Sequence, residues 1–262
     1  MHRRGLTNMS NGFGQGFTSN SMGVGGFNFG FYTPTRPIVT TGLLMHLDAG
    51  NAASYPGSGT AWTDLTGNGN NATLYNTPTY SADNGGIISF DKNSYEYAAT
   101  TGTFASITNW TVEAWVKFNA APVAGTNAIV TNQYDLVSNL NFSLGTNDPA
   151  NNAIRAGFFN GQWRNTTTGQ TVVVGSWYHM VGTYNGSTVL MYSNNAQVGT
   201  LTYSGTPATG GAIRIARRWD DSATIANNFI SAAIPIVRIY NRALTSDEIT
   251  TNYNAARGRY GL

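Results

Sequence analysis

From Gly42 onward, short runs of alternating apolar and polar residues recur between turns rich in Gly, Asn and Pro. The clearest run is Trp110–Phe118. Trp110, Val112, Ala114, Val116 and Phe118 fall on one face and Thr111, Glu113, Trp115 and Lys117 on the other, the period-two pattern of a strand with a packed face. Leu43–Asp48 and Ile87–Phe90 predict two more strands, the second entered through Gly85-Gly86. Trp177–Tyr184 runs through Asn185-Gly186 into Thr188–Tyr192. Asn-Gly there predicts a tight hairpin, because both positions of that turn need positive φ. Asn194-Asn195 predicts the next turn, Ile213–Arg217 a further strand and Phe229–Tyr240 the last. In that last strand Ile234, Ile236 and Arg238 alternate against Val237 and Ile239. Thr245-Ser-Asp-Glu248 then has the Thr-x-x-Glu spacing of a capping box, which predicts a short helix to about Ala256.

This many short antiparallel strands followed by one terminal helix predict an all-β fold, a two-sheet antiparallel jelly-roll sandwich over residues 42–262. Residues 1–41 read differently. Gly5–Tyr32 is built from Gly, Asn, Ser and Phe, with Phe13, Phe17, Phe27, Phe29 and Phe31 spaced among glycines and no helical period. Ordering such a segment costs on the order of 1–2 kcal/mol per residue in backbone entropy, and more at Gly. Burying five Phe side chains does not offset that, so an extended arm that orders only on a partner is expected.

Composition narrows the partners. Lys and Arg number 14 against 12 Asp and Glu in 262 residues, a formal charge of +2, so no strong field toward nucleic acid is expected. Charged residues make up only 10%, against roughly 25% in ordinary soluble domains. There is no Cys, which removes thiol nucleophiles, Cys-ligated metals and disulfides. Met1-His-Arg-Arg4 resembles the charged start of a signal peptide, yet Gly5–Ser10 supplies no apolar run, so neither Sec export nor a membrane span is expected.

Five segments carry a resemblance: Leu43–Gly50, Trp62–Asn70, Trp110–Val116, Trp177–Val181 and Val237–Leu244. Together they resemble the laminin-G-like, concanavalin A-like jelly-roll family over about residues 42–257. Within it, the opening Asp-Ala-Gly-Asn-x-x-Ser-Tyr-Pro-Gly at Asp48–Gly57 and the ending Ala-Arg-Gly-Arg-Tyr-Gly-Leu at 256–262 are similar to domains on structural proteins of tailed phages. That fold hosts lectins, hydrolases, adhesion modules and inert spacers, so the resemblance implies fold more strongly than function.

Glycoside hydrolases on this fold, as the resemblance implies, carry acidic residues at alternate positions of one strand. Retaining enzymes need the two carboxyls roughly 5 Å apart and inverting ones roughly 6.5–9.5 Å. Glu113 lies in a good strand, but its same-face neighbours are Thr111, Trp115 and Lys117. Glu96 and Glu248 are the other Glu residues, and Glu248 has the capping role. No enzyme is expected. His2, His46 and His179 lack metal-site spacing, and Gly67–Ala72 opens no helix, so no dinucleotide site is expected. No cofactor is committed; calcium alone stays open, through oxygen ligands near Asp48, Asp64 or Asn70.

Two binding expectations remain. A glycan platform needs an aromatic ring beside amide or guanidinium donors, and Trp163 with Arg164, or Trp219 with Arg217, offers that combination. The other expectation is structural. It is a virion protein, on the capsid surface or tail and oligomeric in the particle, whose arm threads onto capsid or other virion proteins. Arm residues Phe13, Phe17, Phe27, Phe29 and Phe31 would sit in partner pockets, and Arg3 and Arg4 against acidic groups. A glycan-binding adhesin of a tail fibre or neck is the alternative.

Overall fold

The computed structural model of the protein describes residues 37–101, 104, 107–122, 127–133, 139–146, 153–207, 211–218 and 229–262. The arm residues Arg3, Arg4, Phe13, Phe17, Phe27, Phe29 and Phe31, together with Trp219, lie outside the described residues.

Among the described residues, seventeen strands and one α-helix follow in chain order. They are β1 (Leu43–Asp48), β2 (Ala61–Trp62), β3 (Ala72–Tyr75), β4 (Thr79–Ser81), β5 (Ile87–Phe90) and β6 (Tyr97–Thr100). Then come β7 (Trp110–Phe118), β8 (Asn127–Gln133), β9 (Asn139–Thr146), β10 (Ile154–Asn160), β11 (Trp163–Asn165) and β12 (Thr167–Thr168). The series ends with β13 (Trp177–Tyr184), β14 (Thr188–Ser193), β15 (Ala196–Thr202), β16 (Ile213–Ile215), β17 (Ala232–Tyr240) and α1 (Ser246–Ala256).

One sheet has the order β12-β15-β14-β13-β7-β17-β5-β4, with β1 also on β17; the other runs β11-β10-β9-β8-β16-β6-β3-β2. Every described strand pairing is antiparallel. The expected two-sheet sandwich is therefore the observed one. Between the sheets lies a core that includes Trp62, Trp110, Phe118, Phe142, Phe158 and Val237. Removing such side chains from water is the main force holding two sheets face to face.

The central strand β7 is buried on both faces. Trp110, Val112, Ala114 and Val116 enter the inter-sheet core, while Trp115 packs with Ile236, Ala256 and Tyr260 on the opposite side. A second small cluster there joins Val181, Tyr192, Tyr240, Leu244 and Ile249. The helix thus forms a third layer. It buries Ile249, Asn252 and Ala256, positions three and four apart that share one face. Its start follows the expectation: Glu248 N donates to Thr245 Oγ1 at 3.3 Å and Thr245 N to Glu248 Oε2 at 2.9 Å.

Two local expectations are corrected. The β13–β14 connection is not a two-residue turn with both positions at positive φ. Asn185–Ser187 lies between the strands and Gly186 alone is left-handed, φ 95°, because Asn185 Oδ1 accepts from Ser187 N, Ser187 Oγ and Thr188 N. The two-residue loop with both φ positive is Asn194-Asn195, at 47° and 70°. In β17, the register shifts between Ala233 and Ile236. Pro235 cannot donate to the ladder, and past this irregularity Ile234 joins the inter-sheet core with Val237 and Ile239, leaving Ile236 on the helix side.

Candidate functional site

Register decides the surroundings of Glu113. Across β7, Glu113 faces Arg238 on β17 and Val181 on β13, while His179 faces Trp115 one diagonal step away. Diagonal neighbours on a sheet face lie within reach of long side chains. Arg238 Nη1 donates to Glu113 Oε1, and His179 Nε2 lies 3.0 Å from the same oxygen. From the helix, Asn252 Nδ2 donates to Glu113 Oε2 at 2.7 Å and reaches Tyr240 Oη at 2.8 Å. Glu113, His179 and Asn252 are each 0% exposed, and Arg238 is 2%.

The electrostatics follow from this geometry. Burial pushes the Glu113 carboxyl up, but the Arg238 guanidinium, His179 and the hydrogen bonds outweigh it and hold the group at about 2. Burial beside Arg238 lowers His46 to about 4, and burial raises Tyr240. Near neutral pH Glu113 is an ionised, neutralised and enclosed anion. A general acid or base must exchange protons with a substrate in reach, and this one meets neither condition.

The network continues to residues 39–41, just ahead of β1. Val39 N donates to Asn252 Oδ1 at 2.9 Å, Tyr240 Oη donates to Val39 O at 3.1 Å, and Arg242 Nε donates to Thr41 O at 3.0 Å. Arg242 also forms a bidentate pair with Glu248, at 2.7 and 2.6 Å. At the other end of β1, the opening and closing motifs meet. Arg259 Nη1 lies 2.9 Å from both oxygens of Asp48 and its Nε donates to Asn84 O at 3.1 Å, while Asn84 Nδ2 donates to Arg259 O at 2.7 Å. Two sequence motifs some two hundred residues apart are one lock.

The calcium candidates do not fit a cation site. Asp48 carries Arg259 on both oxygens. Asp64 Oδ1 accepts from His46 N and Thr66 N, and Oδ2 from Thr66 Oγ1 and Asn70 N. Asn70 donates its amide to Leu44 O at 2.8 Å. Among the described residues no group of three or more His, Asp or Glu could hold a metal. Asp91 and Glu96 share a groove, but both close a turn: Glu96 Oε2 accepts from Asp91 N at 2.7 Å and Asp91 Oδ1 from Asn93 N at 3.1 Å.

The aromatic candidates separate. Trp163 is 38% exposed, with its ring over the Arg155 guanidinium at 5.0 Å and against Phe159 at 5.2 Å. Arg164, the next residue along the strand, points to the other face. There it lies 4.0 Å over the Tyr203 ring and donates to Asn160 Oδ1 at 3.4 Å. Arg217 is buried between the rings of Tyr97, at 4.7 Å, and Phe229, at 5.4 Å. Sequence reading passed over Arg238, Asn252 and Arg259; the signal for Asn252 was its place between Ile249 and Ala256 on the buried helix face.

A family profile for the concanavalin A-like lectin/glucanases superfamily matches residues 90–250. No curated protein sequence matches. Among solved structures, domain 4 of AbnA, an extracellular arabinanase from Geobacillus stearothermophilus solved with arabinotriose, superposes with a TM-score of 0.63 at 18% identity, covering 82% of this chain and 98% of that one. A Trypanosoma rangeli sialidase superposes at 0.58 and 17% identity, over 82% of this chain and 33% of its own. The binding domain of Paraclostridial Mosquitocidal Protein 1 gives 0.59 and 15%, over 82% and 52%. The chain thus spans about a third of the sialidase and half of the mosquitocidal structure, and these likenesses establish the fold.

Proposed function

This chain belongs to the concanavalin A-like lectin/glucanases superfamily, and from that premise we propose that it is a non-enzymatic virion structural protein. In this reading it is a capsid decoration or head-associated subunit. The arm, residues 1–41, attaches it to neighbouring virion proteins and the jelly roll is displayed outward.

The observation that carries the reading is the seating of the arm's root. Val39 and Thr41 are held by Asn252, Tyr240 and Arg242, and Asn252 is held in turn by the buried Glu113–Arg238 pair. A chain tethered through its N-terminal arm transmits load at this point. The same pairing supports the non-enzymatic part, because it occupies the carboxylate at the centre of the sheet. The resemblance of Asp48–Gly57 and of 256–262 to tailed-phage domains supports the virion setting, and the formal charge of +2 gives nucleic acid no field to follow.

The test is attachment. Full-length protein and a chain starting at residue 37 are each mixed with particles lacking the protein and sedimented. The full chain is expected to travel with the particles and the shortened one to stay in the supernatant, folded by circular dichroism. Equal sedimentation of both would sink the proposal.

A further inference from the structure

The turn between β13 and β14 holds an arrangement that attachment does not use. When Gly follows Asn, the main-chain nitrogen can attack the preceding side-chain amide unhindered, because Gly has no Cβ to obstruct the approach. Four such pairs lie among the described residues: Asn68-Gly69, Asn84-Gly85, Asn160-Gly161 and Asn185-Gly186. Their sequence is the same, and the fold treats them differently.

Three of the four are held through the nitrogen that would have to leave. Asn68 Nδ2 donates to Leu44 O at 3.0 Å, Asn84 Nδ2 to Arg259 O at 2.7 Å and Asn160 Nδ2 to Tyr203 Oη at 3.1 Å. Expelling ammonia there breaks a hydrogen bond, and at Asn84 it opens part of the contact with Arg259. Asn185 is held the other way round. Its Nδ2 donates to no described residue, while its Oδ1 accepts from Ser187 N at 3.0 Å, Ser187 Oγ at 3.0 Å and Thr188 N at 2.9 Å.

This difference bears on reactivity. Attack at Cγ pushes negative charge onto Oδ1, and donors already aimed at such an oxygen stabilise the tetrahedral intermediate without reorganising. The donors at Asn185 are fixed by the main chain, since Asn185 N donates to Thr188 O at 3.3 Å and Tyr203 N to Ser187 O at 2.8 Å. Asn185 and Ser187 are exposed, so water reaches the amide.

We propose that Asn185-Gly186 is a self-modification site, at which Asn185 converts to a mixture of aspartate and isoaspartate. Gly186 N gives its proton to hydroxide and bonds to Asn185 Cγ. The Cγ–Nδ2 bond then breaks, and Nδ2 takes a proton from water and departs as ammonia, leaving a five-membered succinimide. Water opens that ring. Addition at Cγ gives aspartate, and addition at the main-chain carbonyl carbon gives isoaspartate, in which the chain runs on through Cγ. One water is consumed and one ammonia released, with no oxidation or reduction. The product adds a negative charge to a chain of formal charge +2. In the isoaspartate form, the oxygen that held Ser187 and Thr188 becomes a displaced main-chain carbonyl. The effect falls on Tyr203, which Ser187 O anchors and whose ring lies under Arg164. The proposal goes beyond virion attachment and does not rest on it, since the reaction is read on the free protein.

The experiment ages full-length protein at mildly alkaline pH and maps it by peptide mass spectrometry, with electron-transfer fragmentation to separate aspartate from isoaspartate. Asn185 should convert about tenfold or more faster than Asn68, Asn84 or Asn160, near 1.4 kcal/mol of barrier, with isoaspartate among its products. Ser187→Ala removes one donor at an exposed position. It should slow conversion of Asn185 several-fold at an unchanged melting temperature. In urea-unfolded protein the four pairs should convert at similar rates, because the fold alone distinguishes them. Three outcomes overturn the proposal: Asn185 in the folded protein converts no faster than the other three, Ser187→Ala converts as fast as the unsubstituted protein, or the preference for Asn185 persists undiminished in urea. None of them bears on particle attachment, so a failure here and a failure of the virion reading are separable.

Discussion

Removing one partner of the Glu113–Arg238 pair should be far more damaging than removing a surface pair. Both groups are fully enclosed, and a buried charge left without its partner costs about 3–5 kcal/mol. Arg238→Met is therefore expected to lower stability by about that much in urea unfolding, and adding Glu113→Gln to it should recover part of the loss. A loss below about 1 kcal/mol, the scale of an exposed pair, would contradict this account. The pH profile tests the same residues. Glu113 is held at about 2 against an ordinary 4.5, so its contribution is complete above about 4.5 and disappears as pH falls toward 2. His46 is held at about 4 against 6.5, so its share is lost between those values on acidification. Stability should thus decline steadily below pH 6.5, and Glu113→Gln should flatten the part below 4.5. A profile of Glu113→Gln parallel to the unsubstituted protein would refute the assignment. Glu248 is also held near 2 by Arg242, but its side chain is 29% exposed and solvent screens it.

At the scale of elements, periodicity located strands with a clear apolar alternation, such as β1 and β7, and missed β10, whose residues 154–158 are all buried. β1, β5, β7, β13 and α1 were legible because their apolar residues recur with one period or carry a cap. β3, four residues long with Ala72 and Leu74 buried, and β6, with Ala98 and Ala99, offer too short or too small an apolar set for a clear period. β17 was legible as a strand but not in its facing, since Pro235 marks an irregularity whose effect on the two faces depends on the partner strand. The cap of α1 gives the element-level prediction. Thr245→Ala removes the acceptor for Glu248 N and should cost about 1 kcal/mol. Because α1 covers Glu113, the same variant should speed amide exchange at Asn252 and Val39 before the inter-sheet core opens; unchanged exchange at those amides would separate the helix from the network.

At the scale of the whole molecule, the sandwich was readable from strand spacing and turn chemistry, whereas the sites were not. The Asp48–Arg259 lock joins the two motifs that suggested a phage setting, yet nothing in either alone says that it meets the other; only the closed fold does. The Asn185 site is similar: Asn-Gly recurs at Asn68, Asn84 and Asn160, and only the folded chain decides whether the amide oxygen or the amide nitrogen is held. The seating of Val39 against Asn252 and Tyr240 fixes the start of the described domain, and the virion reading turns on what residues 1–36 touch. Photo-crosslinking from position 27 in assembled particles measures this most directly. The account predicts a covalent adduct with a second virion protein that disappears when residues 1–36 are deleted. Crosslinks confined to the chain's own residues 37–262, with the protein still on the particle, would contradict it.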